Sequence, residues 1–245
     1  MSSVSVVMTV YNGQVFLREQ VGSVLSQLLP GDELIIVDDA SKDASLQILA
    51  DFSSPILHVY TNVKNMGVIG SFDRGMRLSQ GEIIFFCDQD DIWLPGKRDA
   101  FVAAFECDPA VNLVISDAEV IDAAGKVTSL SFMATRGGFR GSALSTVWSN
   151  RYIGCAMAVR STLLEIVLPM PSGIPMHDMW IGALASIFGK VSYLSTPFLQ
   201  YRRHGNNVSP EGRQSLKKML KWRICLLLAL AVRLLRYQSR VRKTS

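Results

Sequence analysis

Cysteine is scarce in this chain: four in 245 residues, at positions 87, 107, 155 and 225, with no Cys-x-x-Cys pair. That spacing argues against a disulfide-stapled scaffold and a structural zinc site, and it fits a reducing compartment. Charge is sparse too, at 19% of residues against 49% hydrophobic, which is the wrong balance for a disordered chain and ample for a buried core. In the C-terminal region the longest uninterrupted apolar run, residues 224–232, has nine members, where a membrane-spanning helix needs roughly twenty. Residues 1–10 have neither a basic stretch nor a long apolar segment and read as a strand, not a secretory signal.

The first turn also lacks something. A dinucleotide site would show Gly-x-Gly-x-x-Gly after the first strand, and here Tyr11-Asn12-Gly13-Gln14-Val15-Phe16 stands instead. No Walker lysine follows, so hydride transfer and P-loop chemistry both fall away. A sugar-phosphate nucleotidyltransferase would need a Gly-rich, arginine-bearing loop there, and that is missing as well.

Acidic residues are absent from position 212 onward, where ten basic ones stand, leaving 15 of the 25 basic residues against all 21 acidic ones in the body. An acidic body with a basic tail is not the pattern of a nucleic-acid binder, which spreads positive charge over a folded face. The length favours one domain with an appendage, divided here into residues 1–210 and 211–245. The tail is expected to form a basic amphipathic helix, either on an anionic membrane surface or against a partner subunit.

What is present alternates. Short β-branched runs at residues 4–10, 33–37, 56–61 and 83–87 are separated by segments with helical apolar spacing, such as Leu17, Val21, Val24, Leu25 and Leu28. This predicts an α/β fold with a mainly parallel central sheet, whose ligands sit beyond the carboxyl ends of the strands. Polar residues follow three of those ends: Tyr11-Asn12, Asp38-Asp39 and Asp88-Gln89-Asp90-Asp91. They are expected to converge. Beyond residue 110 a strand is expected at 113–117, a Gly-rich loop at 133–142 and a buried strand at 152–159. His58, inside a strand without polar company, is expected to be packed.

Three carboxylates within four residues repel one another unless a cation neutralises them, and a hard oxygen-liganded ion such as Mg²⁺ or Mn²⁺ suits them. The alternative is a solvated turn that caps the next helix. Asp38-Asp39 carries the same ambiguity.

The ordered set Thr9-Val10-Tyr11-Asn12, Val37-Asp38-Asp39-Ala40-Ser41-Lys42-Asp43, Asn65-Met66-Gly67, Gln80-Gly81-Glu82 and Asp88-Gln89-Asp90-Asp91-Ile92-Trp93 resembles glycosyltransferase family 2 over residues 4–208. With Met176-His177-Asp178-Met179-Trp180 and Tyr201-Arg202-Arg203-His204-Gly205-Asn206-Asn207, the sequence is most similar to bacterial rhamnosyltransferases.

The resemblance implies a GT-A fold, a nucleotide-diphosphate-sugar donor with dTDP-rhamnose favoured, and inversion at the anomeric carbon. It implies a nucleoside pocket lined by Thr9, Tyr11 and Asp39 or Asp38 and closed by Asn65 and Gly67, with Asp88 at the ribose. Asp90 would bind the divalent metal, and Asp91 would assist the metal or the acceptor. His204 is a candidate for the metal shell or the diphosphate, and Arg202 and Arg203 suit phosphate or a surface loop.

Asp178 stands where the family has its late catalytic acid and is the candidate base, a role compatible with capping a helix. His177 replaces a common Glu and would bond Asp178 or the acceptor, or pack. Lys97 either faces the donor or starts a helix in solvent. Trp93, Gly154 and Trp180 shape the acceptor site or belong to the core. The reading is therefore a cytoplasmic transferase, peripheral on the inner face of the membrane, acting on a glycan or lipid-linked acceptor. A UDP-sugar-dependent family member and a non-catalytic glycan-binding scaffold are the alternatives.

Overall fold

A computed structural model describes residues 2–148, 150–205, 207 and 215–244. The 210/211 boundary, Asn206 and Arg213 lie outside the described residues. In chain order the elements are β1 (Val4–Val10), α1 (Leu17–Leu25), β2 (Glu33–Asp38), α2 (Ser45–Ala50), β3 (Leu57–Thr61), α3 (Gly67–Leu78), β4 (Ile83–Asp88), β5 (Ile92–Trp93), α4 (Lys97–Cys107), β6 (Val111–Ile121), β7 (Val127–Ser129), α5 (Phe132–Thr135), α6 (Ala143–Trp148), β8 (Met157–Arg160), α7 (Leu164–Val167), α8 (His177–Phe188), β9 (Lys190–Arg202) and α9 (Leu216–Thr244).

The strands form one sheet in the order β3-β2-β1-β4-β8-β6-β9-β5, with β7 on the side of β6. Its first half is parallel, as the alternation of strand and helix requires: β1 pairs with β2 and β4, and β2 with β3. The strand ends do converge, since Val10 is level with Asp38 and Thr9 with Asp88.

Adjacent phenylalanines in β4 explain why its run is apolar throughout. Phe86 meets Phe72 of α3 edge-on at 5.6 Å, while Phe85 meets Phe101 of α4 at 5.1 Å on the opposite face. Both faces are covered, so alternation is lost. Fully burying such a side chain contributes about 2 kcal/mol. On the α3 side the helix lies so close to the sheet that a Cβ at Gly75 would overlap Val7.

The second half corrects the expectation of a mainly parallel sheet. β8 inserts antiparallel to both β4 and β6, β5 runs antiparallel to β9, and only β6 and β9 are parallel there, so the sheet is mixed. A strand buried on both faces is apolar in either direction, so its pattern does not encode polarity. The strand predicted at 152–159 begins only at Met157, after a 3₁₀ turn at Gly154–Ala156. The expected loop at 133–142 opens with the last residues of α5, where the Ser131 hydroxyl accepts the Ala134 N–H. His58 is exposed on β3 rather than packed, because β3 is an edge strand with one neighbour.

α9 is anchored along one side. Leu226 and Leu230 join the core, and Tyr237 meets Phe188 edge-on at 4.8 Å. The Arg233 guanidinium donates to the carbonyls of Ile166, Leu168 and Pro169. No helix among the described residues is long and apolar enough to cross a membrane.

Candidate active site

The ends of β1, β2 and β4 open onto a cavity of about 470 Å³. Of the residues singled out from the sequence, Thr9, Tyr11, Asp39, Asn65, Gly67, Asp88 and Asp90 line it.

One side is built around Asp39. Its Oδ1 accepts from the Met66 N–H and from Asn62 Nδ2, both at 2.7 Å, and its Oδ2 accepts from the Gly67 N–H at 2.8 Å. These backbone donors are orphans at the start of α3, where a carboxylate is electrostatically favoured. Gly67 has φ +74°, the left-handed region that favours glycine. Asp38 is not part of this wall. It is fully buried and its Oδ2 accepts the Ser41 N–H, so of the two acids only Asp39 faces the cavity.

Gln89 holds the first turn, a role that sequence reasoning missed. Its Oε1 accepts the Tyr11 N–H at 2.8 Å, and its Nε2 donates to the Tyr11 carbonyl at 3.1 Å. The side chain thereby extends the β1/β4 pairing past the strand ends. Gly13 leaves room for it, because a Cβ there would overlap the Gln89 amide. Gln89→Leu is expected to raise the KM for a nucleotide-sugar donor by up to about thirtyfold, since two backbone bonds to Tyr11 are lost at roughly 1 kcal/mol each. Steady-state kinetics check this: an unchanged KM would mean that Tyr11 is positioned without Gln89.

The acid turn gathers the site's charge. Asp90 Oδ2 lies 2.8 Å from His204 Nε2 and accepts from Asn207 Nδ2 at 3.3 Å. The His204 ring packs against Phe16, tilted by 36° with the ring centres 5.1 Å apart. Asp88 is pushed up to about 7 by burial and by the Asp90 and Asp178 carboxylates. Asp91 is likewise raised, by burial, Asp90 and Asp88. It does not line the cavity: it is fully buried, its Oδ1 accepts the Arg202 N–H, and its Oδ2 has no hydrogen-bond partner among the described residues. Asp91 braces the turn from inside, and one of its carboxylate oxygens lies within 4.8 Å of ligand atoms of Asp88 and Cys155, a group that could hold a metal ion.

Asp88 and Asp91, both held above the usual carboxylate range, gather negative charge that a divalent cation would offset. The mixed oxygen and imidazole donors of Asp90 and His204, beside Asp88, suit Mg²⁺ or Mn²⁺.

Burial decides the readings of five other residues. Lys97 does not face the donor. It is fully buried under the acid turn, donates to the Cys155 carbonyl at 2.7 Å and sits 4.5 Å from the Trp93 ring centre, and burial lowers it to about 8. Trp93 packs on Phe85, and Trp180 is fully buried with its Nε1 donating to the Val167 carbonyl, so both are core residues and not acceptor walls. Gly154 serves close packing, since a Cβ there would overlap the His177 ring. Arg202 is buried and braces the site: it donates to the Asp90 carbonyl at 2.8 Å and Glu19 at 2.7 Å. Arg203 lies over the Tyr201 ring and donates to its hydroxyl at 3.1 Å.

His177 packs. Both ring nitrogens lack hydrogen-bond partners among the described residues, the ring centre lies 4.2 Å from that of Phe72, and burial lowers it to about 3, so it is neutral. Its neighbour Asp178, in the first turn of α8, is 7% exposed and raised to about 6 by burial. Asp178 Oδ1 accepts the Met179 N–H at 2.6 Å and Oδ2 accepts Asn150 Nδ2 at 2.9 Å. Asn150, which the sequence did not single out, is fixed in turn by the Tyr152 N–H. Met176 carries this segment to the cavity wall.

Residues 5–166 match the family model described as Glycosyl transferase family 2. An uncharacterized glycosyltransferase of Nostoc sp. is 28% identical over 222 residues, which is 83% of this chain and 66% of the relative. The Escherichia coli UDP-Glc:alpha-D-GlcNAc-diphosphoundecaprenol beta-1,3-glucosyltransferase WfgD is 32% identical over 38% of this chain and 37% of its own length. The chain thus spans about two thirds of the first of these relatives and about a third of the second. Among solved structures, S. aureus TarS in complex with UDP-GlcNAc has a TM-score of 0.72 at 18% identity, covering 95% of this chain and 66% of that one. The Pyrobaculum calidifontis mannosyltransferase PcManGT, in complex with GDP-Man and Mn²⁺, has a TM-score of 0.60 at 18% identity, over 79% of this chain and 54% of that one. The family match covers most of the chain and includes both acid clusters and the first turn: this chain belongs to glycosyl transferase family 2.

Proposed function

We propose that the chain is an inverting transferase that moves a sugar from a nucleoside diphosphate to an acceptor hydroxyl. One observation carries this reading: the Asp39 pocket and the acid-turn residues Asp88 and Asp90 line a single cavity, and Asp178, buried beside it, is near enough to Asp88 to raise it.

In this mechanism Tyr11, Thr9 and the Asp39-ordered loop bind the nucleoside. Asp90 and His204 would hold a divalent cation, which when bound would supply charge compensation for the leaving diphosphate. Asp178 takes the proton of the acceptor hydroxyl as that oxygen bonds to the anomeric carbon and the carbon–diphosphate bond breaks. A carboxylate raised to about 6 is mostly ionised at pH 7 yet a stronger base than an exposed aspartate. Neutral His177 adds no charge that would lower it.

The motifs favour dTDP-rhamnose as donor. WfgD and TarS, by contrast, are described with UDP-Glc and UDP-GlcNAc. Polysaccharide assembly is supported by TuaG of Bacillus subtilis, a putative teichuronic acid biosynthesis glycosyltransferase, 34% identical over 38% of this chain. A lipid-linked acceptor would suit a cytoplasmic enzyme working at the inner face of a membrane.

Release of nucleoside diphosphate from dTDP-rhamnose and from common UDP- and GDP-sugars, with bacterial membrane extract as acceptor source, tests both levels. Turnover of dTDP-rhamnose alone supports the rhamnosyl reading, and turnover of a UDP-sugar replaces it. Silence across the panel with acceptor present would favour a glycan-binding scaffold.

A further inference from the structure

α9 has two apolar sides, and only one is used. The buried side carries Leu226 and Leu230. On the other, Leu220, Ile224, Leu227, Leu228 and Leu235 recur at helical spacing and are 48 to 67% exposed. An apolar stripe on the solvent side of a helix already anchored to its domain has no role in holding that domain together.

The stripe continues onto the body at Trp148, which ends α6 and is 74% exposed. Trp148 is tied to α9: Arg223 donates to its carbonyl at 2.8 Å and lies 4.8 Å from its ring centre. Beside the stripe stand Lys217, Lys218, Lys221 and Arg236, and the helix contains no acidic residue.

We infer that this face, the outer stripe of α9 with Trp148 and the flanking lysines, is a docking surface for a bilayer bearing anionic lipid headgroups. Charge decides between occupants. A second copy of the chain would bring the same unbalanced basic residues to the contact, whereas an anionic surface complements them and accepts the leucines among its acyl chains. An exposed tryptophan beside such a helix suits the polar–apolar boundary of a bilayer. The surface adjoins the reaction centre, because Trp148 is two residues from Asn150, whose amide holds Asp178. A bilayer seated there would therefore bring a lipid-borne acceptor to the side of the cavity that carries the base. Binding itself does not depend on the transferase reading.

Flotation of the full chain with vesicles of phosphatidylcholine, with and without phosphatidylglycerol, tests the inference separately from turnover. Recovery with the anionic vesicles is expected to exceed that with phosphatidylcholine by more than about tenfold and to fall at high salt. Lys221→Gln is expected to cut partitioning about fivefold. Ile224→Ser with Leu228→Ser should abolish it while leaving the thermal unfolding midpoint unchanged, since both residues point away from the core. Equal recovery from both vesicle types would overturn the inference. So would a dimer in sedimentation, dispersed by the same serine variants, that does not float.

Discussion

Asp178→Asn is expected to lower the rate of sugar transfer about a thousandfold while leaving donor affinity unchanged, the loss proper to a general base. The expectation rests on where the charge lies. Asp178 is buried beside Asn150 and is not part of the nucleoside wall, so the amide removes the proton acceptor without touching the pocket. Parallel loss of donor binding, read by calorimetry, would sink the assignment.

The same substitution is expected to stabilise the fold. A carboxyl whose native value lies above its unfolded one binds more protons when folded, so stability falls as pH rises between 3.8 and about 6 and stays lost above that. Keeping the charge therefore costs about 3 kcal/mol at pH 7. The amide introduced by Asp178→Asn recovers part of it, offset by the two NH₂ groups that would then face each other at Asn150. A net gain of about 1 kcal/mol would raise Tm by roughly 2 to 4 °C. The pH profile of kcat should have its acid limb near pH 6, and this limb should be absent from the residual activity of Asp178→Asn.

Asp90→Ala is the second large effect, with kcat expected to fall by about a hundredfold to a thousandfold and donor KM to rise. The carboxylate faces the cavity and is held by His204 and Asn207 from the far end of the chain. Chelation with EDTA should abolish turnover of the parent protein and leave the residual activity of Asp90→Ala little changed. His204→Ala should show the same pattern more weakly, as one ligand among several. Full activity of the parent in EDTA, at verified metal depletion, would remove the cation from the mechanism.

How much of this was legible in the sequence depends on what kind of information each residue carries. The converging strand ends were readable, because strand–helix alternation fixes parallel pairing and parallel strands end on one side. Asp39 and Asp90 stood out because an acid after an apolar run is a local signal, whereas Gly67 was implied only by the family resemblance. Burial is not local, and there the reading failed. Lys97 follows a turn like any solvated helix-start lysine, yet it lies under the acid turn against Cys155. Arg202 reads as part of a basic loop and is instead enclosed by Glu19, Asp90 and Phe16. The direction of β8 was hidden because two covered faces erase the pattern that would report it. Gln89 was overlooked between its acidic neighbours, although a long amide level with the first turn is a signal that reach alone could have supplied.

Arg202 has one more consequence. It ends β9, and its backbone and guanidinium close on Asp91, Asp90 and Glu19, parts of the chain made more than a hundred residues earlier. A nascent chain halted before β9 would have its nucleoside pocket but an acid turn without its brace, with three carboxylates facing one another and no imidazole. The acid turn is thus completed only by the last strand, so the proposed sugar-nucleotide chemistry requires β9 to be in place.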